Sequence, residues 1–157
     1  MRGGHQSTGA IAMNVKHVHL TPLGGMAGDM FVAAMLDALP EFRDPVVEAV
    51  QSVLPADSIA SITPCRSGGL TGLRFGISDS AQKTAADYPA LAERICNAQI
   101  DEASRCIAGQ LLQRLAESEA MIHGVPLEQV HFHEIADWDT LADLLAAGYI
   151  IAHLELA

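Results

Sequence analysis

Proline and glycine punctuate this chain so regularly that each stretch between them holds one short helix or strand. Pro22 ends an alternating run, His17–Thr21, that suits a strand. A glycine-rich turn, Leu23–Gly28, leads into strong helix formers from Asp29 to Leu39. Phe31, Ala34, Met35 and Ala38 recur there at helical spacing, and Pro40 stops the run. Asp44-Pro45, a cap followed by proline, restarts a helix with Val46, Val47, Val50 and Val53 as its stripe. Ser58–Pro64 and Leu70–Ser78 read as strands joined at Arg66-Ser67-Gly68-Gly69, a hairpin-type turn. After a small, polar loop over 79–87, Tyr88–Ala98 reads as a helix. Asp101 offers the N-cap of a longer one, with Ala108, Leu111, Leu115 and Ile122 on one face and Gly124 closing it. Val125-Pro126 opens a short turn, Val130–Ile135 reads as extended, and Asp137 or Asp139 caps a last helix through Leu141, Leu144, Leu145 and Ile151. The expected fold class is α+β: one domain, with a small, mostly antiparallel sheet covered by about five helices.

Composition narrows the function. Of 157 residues, half are apolar but only 4% aromatic, so the core must come from Leu, Ile, Val, Ala and Met. Met26, Met30 and Met35, at roughly helical spacing, are expected to fill core space rather than bind a soft metal. No apolar run is long enough to span a bilayer. Nine basic against nineteen acidic residues give a formal charge of −10, which disfavours nucleic acid and anionic lipid as partners. The charge is concentrated. After Arg114 there is no Lys or Arg, yet Glu117, Glu119, Glu128, Glu134, Asp137, Asp139, Asp143 and Glu155 follow, together with His123, His131, His133 and His153. Such a segment attracts cations and needs help to hold a phosphate. Cys65, Cys96 and Cys106 are odd in number and without C-x-x-C spacing, which points to reduced, interior thiols and a cytoplasmic protein. Residues 1–14, glycine-rich and polar with no apolar core, read as a disordered leader rather than a signal peptide. The apolar end, Leu154-Glu155-Leu156-Ala157, suggests a domain of a longer protein.

The strongest chemical signal is Val130-His131-Phe132-His133-Glu134-Ile135-Ala136-Asp137-Trp138-Asp139, with Asp143 beyond. On extended backbone His131 and His133 share a face. Asp139 and Asp143, four apart, share a helix face. Imidazoles with carboxylates make a borderline ligand set suited to Zn, Ni, Co or Mn. The bland alternative is histidines at a helix entrance and acids on a solvated face. Glu134, on the opposite face, is better placed as a base or a partner to the ligands. His133-Glu134-Ile135-Ala136-Asp137 also falls one residue short of the zincin H-E-x-x-H motif, which leaves a zinc-dependent hydrolase open if 133–137 is helical. A second signal is Gly24-Gly25-Met26-Ala27-Gly28-Asp29: glycines that let backbone approach a ligand, before a helix whose first turn already holds Asp29. It is either a tight turn with a dipole-satisfying acid, or a site in which Asp29 faces the acidic segment and adds a carboxylate to a cation site. His17 and His19 are further candidate ligands.

These residues bring a family into view. Gly25-Met26-Ala27-Gly28-Asp29-Met30 resembles the S-G-[IM]-[SA]-G-D-M motif of the nickel insertion protein LarC family. Ser67-Gly68-Gly69-Leu70-Thr71-Gly72-Leu73-Arg74-Phe75 is similar to its G-G-I-x-G-T-R-F segment. His123-Gly124-Val125-Pro126 with Val130-His131-Phe132-His133-Glu134 is similar to its H-G-V-x-x-x-x-V-H-F-H-E run. The resemblance covers residues 17–155 in family order and makes 15–157 a LarC-like N-terminal domain. It implies part of a nickel chelatase, a lyase that inserts nickel into pyridinium-3,5-bisthiocarboxylic acid mononucleotide to make the nickel-pincer cofactor of lactate racemase. CTP and Mn or Mg are implied only with the C-terminal domain, which acts as partner alongside a homo-oligomer; the alternative is a non-enzymatic metal-binding or interaction module. On this reading His131, His133, Asp139 and Asp143 hold the metal, Glu134 and Asp29 are the catalytic carboxylates, and Gly25 and Gly28 approach the cofactor. Three departures stand out. The histidine-rich stretch after the G-x-R-F strand is absent from 78–84, D-P-F-S has become Thr21-Pro22-Leu23-Gly24, and V-G-A-V-D-S has become Ile135-Ala136-Asp137-Trp138-Asp139-Thr140.

Overall fold

The computed structural model describes residues 17–22, 25–78, 87–130, 132 and 138–154. Among them are five α-helices and one β-hairpin: α1 Gly28–Ala38, α2 Arg43–Gln51, β1 Ala60–Ser67, β2 Leu70–Ile77, α3 Tyr88–Cys96, α4 Glu102–His123 and α5 Trp138–His153, with 3-10 turns at Pro40–Phe42 and Leu127–Gln129. The expected α+β class is what forms.

Local chemistry explains most boundaries. Asp101 caps α4, its carboxylate accepting from the Ser104 N–H at 2.9 Å and from Ser104 Oγ at 2.5 Å. Gly124, at φ +65°, ends the same helix in the left-handed conformation. Asp87 caps α3 through the Ala90 N–H, with Pro89 in the first turn. Asp44 does not cap α2. That helix begins one residue earlier, at Arg43, whose Nε donates to the Leu36 carbonyl at 2.8 Å and so closes the end of α1 instead. Asp139 likewise lies inside the first turn of α5 rather than at its cap; the other expected cap, Asp137, lies outside the described residues.

The hairpin is set by its turn. Gly68 and Gly69 both have positive φ, +56° and +87°, the conformation of a type I′ turn that matches strand twist. Ser67 therefore pairs with Leu70, and the register runs unbroken to Ala60 opposite Ile77. Gln51 ties α2 to the base of β1, donating to the Ser58 carbonyl and accepting from the Ala60 N–H. The other expected strand, His17–Thr21, does not form. Those residues are irregular, with Val18 half-buried against the core and no strand partner among the described residues.

α4 and α5 pack antiparallel along the centre. A Cβ on Gly148 would lie 2.8 Å from the Ala108 Cβ and 2.9 Å from the Ala108 nitrogen and the Ser104 carbonyl oxygen, so the two backbones meet where glycine removes a side chain. This selects small residues at the contact, Ser104 and Ala108, and the buried stripe of α4 continues through Leu112 and Ala116. Of the expected stripe, Ala108 is buried and Leu115 packs half-buried against the core, whereas Leu111 is only half-buried and Ile122 is 73% exposed. Val32, Leu36, Val46, Val50, Leu91, Leu141, Leu145 and Ile150 complete the core, each buried side chain contributing about 1.5–3 kcal/mol. Of the three methionines expected there, only Met35 is buried; Met26 and Met30 are 60% and 50% exposed. Nor are the thiols interior. Cys96 and Cys106 are exposed and Cys65 is half-buried. No helix among the described residues is long and apolar enough to cross a membrane.

Candidate functional site

The site grows from two helix starts. Gly25, at φ +114°, makes the turn into α1, and Ala27 occupies the N-cap with extended backbone and no side-chain cap. Gly28 and Asp29 follow in the first turn. α5 begins nearby, placing Asp139 and Asp143 one helical turn apart. These segments meet the end of β2 around a cavity of about 340 Å³ lined by Asp29, Phe75, Gly76, Asp139, Ala142 and Asp143. Three of the carboxylates expected to act together thus line one cavity, over an apolar floor formed by buried Phe75 and Ala142.

Gly28 fixes one of them. A Cβ there would lie 2.8 Å from both Cβ and Cγ of Asp143, so the missing side chain of α1 is what admits the carboxyl arm of α5. The glycine does make a close approach, but to another part of this chain. The positive ends of two helix dipoles, at Gly28 and Trp138, adjoin these acids. Carboxylate oxygens are hard donors, apt for a divalent cation and wrong for a phosphate.

The described residues do not complete a coordination sphere. Among them no three His, Cys, Asp or Glu side chains come close enough to hold a metal ion. His131, His133, Glu134 and Asp137 lie outside the described residues, and with them the extended or helical state of 133–137 that separates the two metal readings. Their flanks are placed. Val130 and Phe132 are buried, and the Val130 carbonyl accepts from the Tyr88 N–H. Trp138 opens α5 with the Arg94 guanidinium 4.4 Å above its ring. Its indole nitrogen is buried without a hydrogen-bond partner among the described residues.

The histidines among the described residues are elsewhere. His17 and His19 are exposed and do not line the cavity. His123 pairs with Glu119 at 3.3 Å. His153, at the far end of α5, faces Asp101 at 3.7 Å and bonds the Tyr149 carbonyl through Nδ1. Burial raises the Tyr149 hydroxyl pKa, and Asp101 and Glu48 raise it further. At Asp101 burial pushes the other way from the result. Hydrogen bonds from Ser104 and the charge of His153 outweigh it and hold the carboxyl below its ordinary value. Phe75, Gly76 and Ala142 are lining residues that the sequence did not point to; for the first two, nothing local connects a hairpin strand with residues 29 and 143.

Fold and cavity define a small acidic α+β domain with carboxylates gathered at two helix N-termini. A family model described as nickel insertion protein matches residues 18–157. Relatives named for nickel insertion are 32% identical over 138 residues in Methanocaldococcus jannaschii (87% of this chain, 35% of the relative), 34% over 145 in Pelobacter propionicus (89% and 36%) and 34% over 144 in Geobacter sulfurreducens (90% and 37%). No solved structure matches. The chain belongs to the nickel insertion protein family, and it spans about a third of the length of these relatives.

Proposed function

We propose that this chain is the nickel-handling domain of a nickel insertion protein, and that nickel is held at the acid-lined cavity with His131 and His133 as its nitrogen ligands. The observation supporting this is the gathering of Asp29, Asp139 and Asp143 around one cavity in a member of that family. Oxygen donors alone favour Mg or Mn; two imidazoles move the donor set toward Ni(II). The acceptor is pyridinium-3,5-bisthiocarboxylic acid mononucleotide, whose thiocarboxylate sulfurs are softer donors than imidazole or carboxylate, which gives the transfer its direction. Asp29 and Glu134 act as supporting bases, and Gly25 and Gly28 shape the turn beside the acceptor. A triphosphate does not fit an anionic cavity unaided, so CTP and its Mn or Mg belong to the remaining part of the longer protein, and complete chelatase activity needs that part.

Calorimetric titration of Ni(II) into the native chain and the His131→Ala/His133→Ala variant tests the reading. One site per chain, weakened at least tenfold in the variant, is expected; equal affinity removes the histidines from the site.

A further inference from the structure

We propose that the sheet continues: the outer edge of β2, unpaired among the described residues, receives a further β-strand from the part of the longer polypeptide that the curated relatives carry beyond this region. The hairpin itself says which edge is open. With Ser67 and Leu70 as the hydrogen-bonded pair that closes the turn, the bonded pairs are Cys65–Gly72, Thr63–Arg74 and Ser61–Gly76. The bond from the Ser78 N–H to the Ile59 carbonyl, 2.9 Å, keeps the same parity at the base. Pro64, opposite Leu73, therefore falls at a non-bonded pair, where its missing N–H lies on the outer edge of β1. Proline at that position blocks a further strand, the usual mark of a sheet's outermost strand.

β2 has no such block. Leu-Thr-Gly-Leu-Arg-Phe-Gly-Ile contains no proline, and Thr71, Leu73, Phe75 and Ile77 direct their N–H and C=O groups to its outer edge. Among the described residues none of these groups is bonded to another strand. β2 is also the strand packed against α1 and α5, whereas β1 packs against α2. The relatives are nearly three times as long as the region matched here, so covalently linked chain is at hand to supply a third. The occupant is an extended segment with alternating apolar residues, one set packing beside Phe75 and Leu73. Because the cavity reaches β2 at Phe75 and Gly76, the added strand runs beside the acid site and forms part of its wall. The proposal stands whether or not that cavity holds nickel.

Amide-resolved hydrogen exchange tests it. In the 157-residue chain the amides of Gly72, Arg74 and Gly76, bonded to β1, should exchange at least tenfold more slowly than those of Thr71, Leu73, Phe75 and Ile77. In the full-length Methanocaldococcus jannaschii relative both sets should be slow at the aligned positions. Fast exchange of the outward set in the full-length relative overturns the proposal. So does protection of that set in the 157-residue chain: independent of concentration, it assigns the edge to a segment such as His17–Thr21; rising with concentration, it assigns the edge to a second copy.

Discussion

Two glycines touch α5, and comparing them separates what holds this protein together from what it works with. Gly148 lets the helix backbone press on Ala108 and Ser104; Gly28 lets the Asp143 side chain press on the start of α1. At the first, the atoms in the way are partly backbone and belong to the longest helix. At the second they belong to one acidic side chain at the rim of a cavity. The same absence of a Cβ serves close packing in one place and the placing of a charge in the other.

Substitutions should break this pair unequally. Gly148→Val has the largest expected effect, because neither the Ala108 nitrogen nor the Ser104 carbonyl can rotate aside. A loss of about 3 kcal/mol, or about 10 °C in Tm, should appear in thermal unfolding. Gly28→Ala should cost less, about 1–2 kcal/mol, since Asp143 yields more readily than a helix backbone. Its signature is in the metal: Ni(II) affinity should fall about tenfold, equivalent to ~1.4 kcal/mol. Adding Asp143→Gly should restore most of the stability and none of the affinity. If stability and affinity recover together, Gly28 is only a packing residue.

The smallest effect belongs to the far end of α5, where acid and histidine serve structure. Asp101→Ala should cost about 1 kcal/mol as a lost cap. Its acidity supplies a second reading. The folded carboxyl lies below its ordinary value of 3.8, so around and below that pH the unfolded chain binds more protons than the folded one. The stability Asp101 contributes is therefore present above 3.8 and lost as pH falls through the lower folded value. Acid unfolding of Asp101→Asn should be shallower than that of the native chain over that window. Identical profiles would show that the cap does not depend on charge.

What could be read from the sequence follows the range of the physics. The Asp101 cap, the Gly124 stop and the Gly68–Gly69 turn are contracts between neighbours, and all three form as expected. The buried face of α4 was legible at Ala108 but not at Ser104, Leu112 and Ala116, because a partner chose it. Gly148 demands small residues opposite, and Ser104 and Ala108 answer that demand better than Leu111 or Ile122. Met26 and Met30 have the hydrophobicity of core residues but fall on the exposed side of the turn and first helix. His17–Thr21 alternates like a strand, yet alternation without a neighbouring ladder leaves irregular backbone. In the site, the spacing of Asp139 and Asp143 and the position of Asp29 were legible, since each follows from one helix. Phe75 and Gly76 were not, because their place depends on how a hairpin lies across two helix starts.

The central claim is that imidazole and carboxylate together hold nickel at this cavity. X-ray absorption at the nickel edge, recorded on the Ni(II)-loaded chain, reads the donor atoms directly. A nitrogen and oxygen shell bearing the multiple-scattering pattern of imidazole, without sulfur, is expected, with loss of that pattern in His131→Ala/His133→Ala. A shell of water oxygens alone, or one containing sulfur from Cys96 or Cys106, would contradict it.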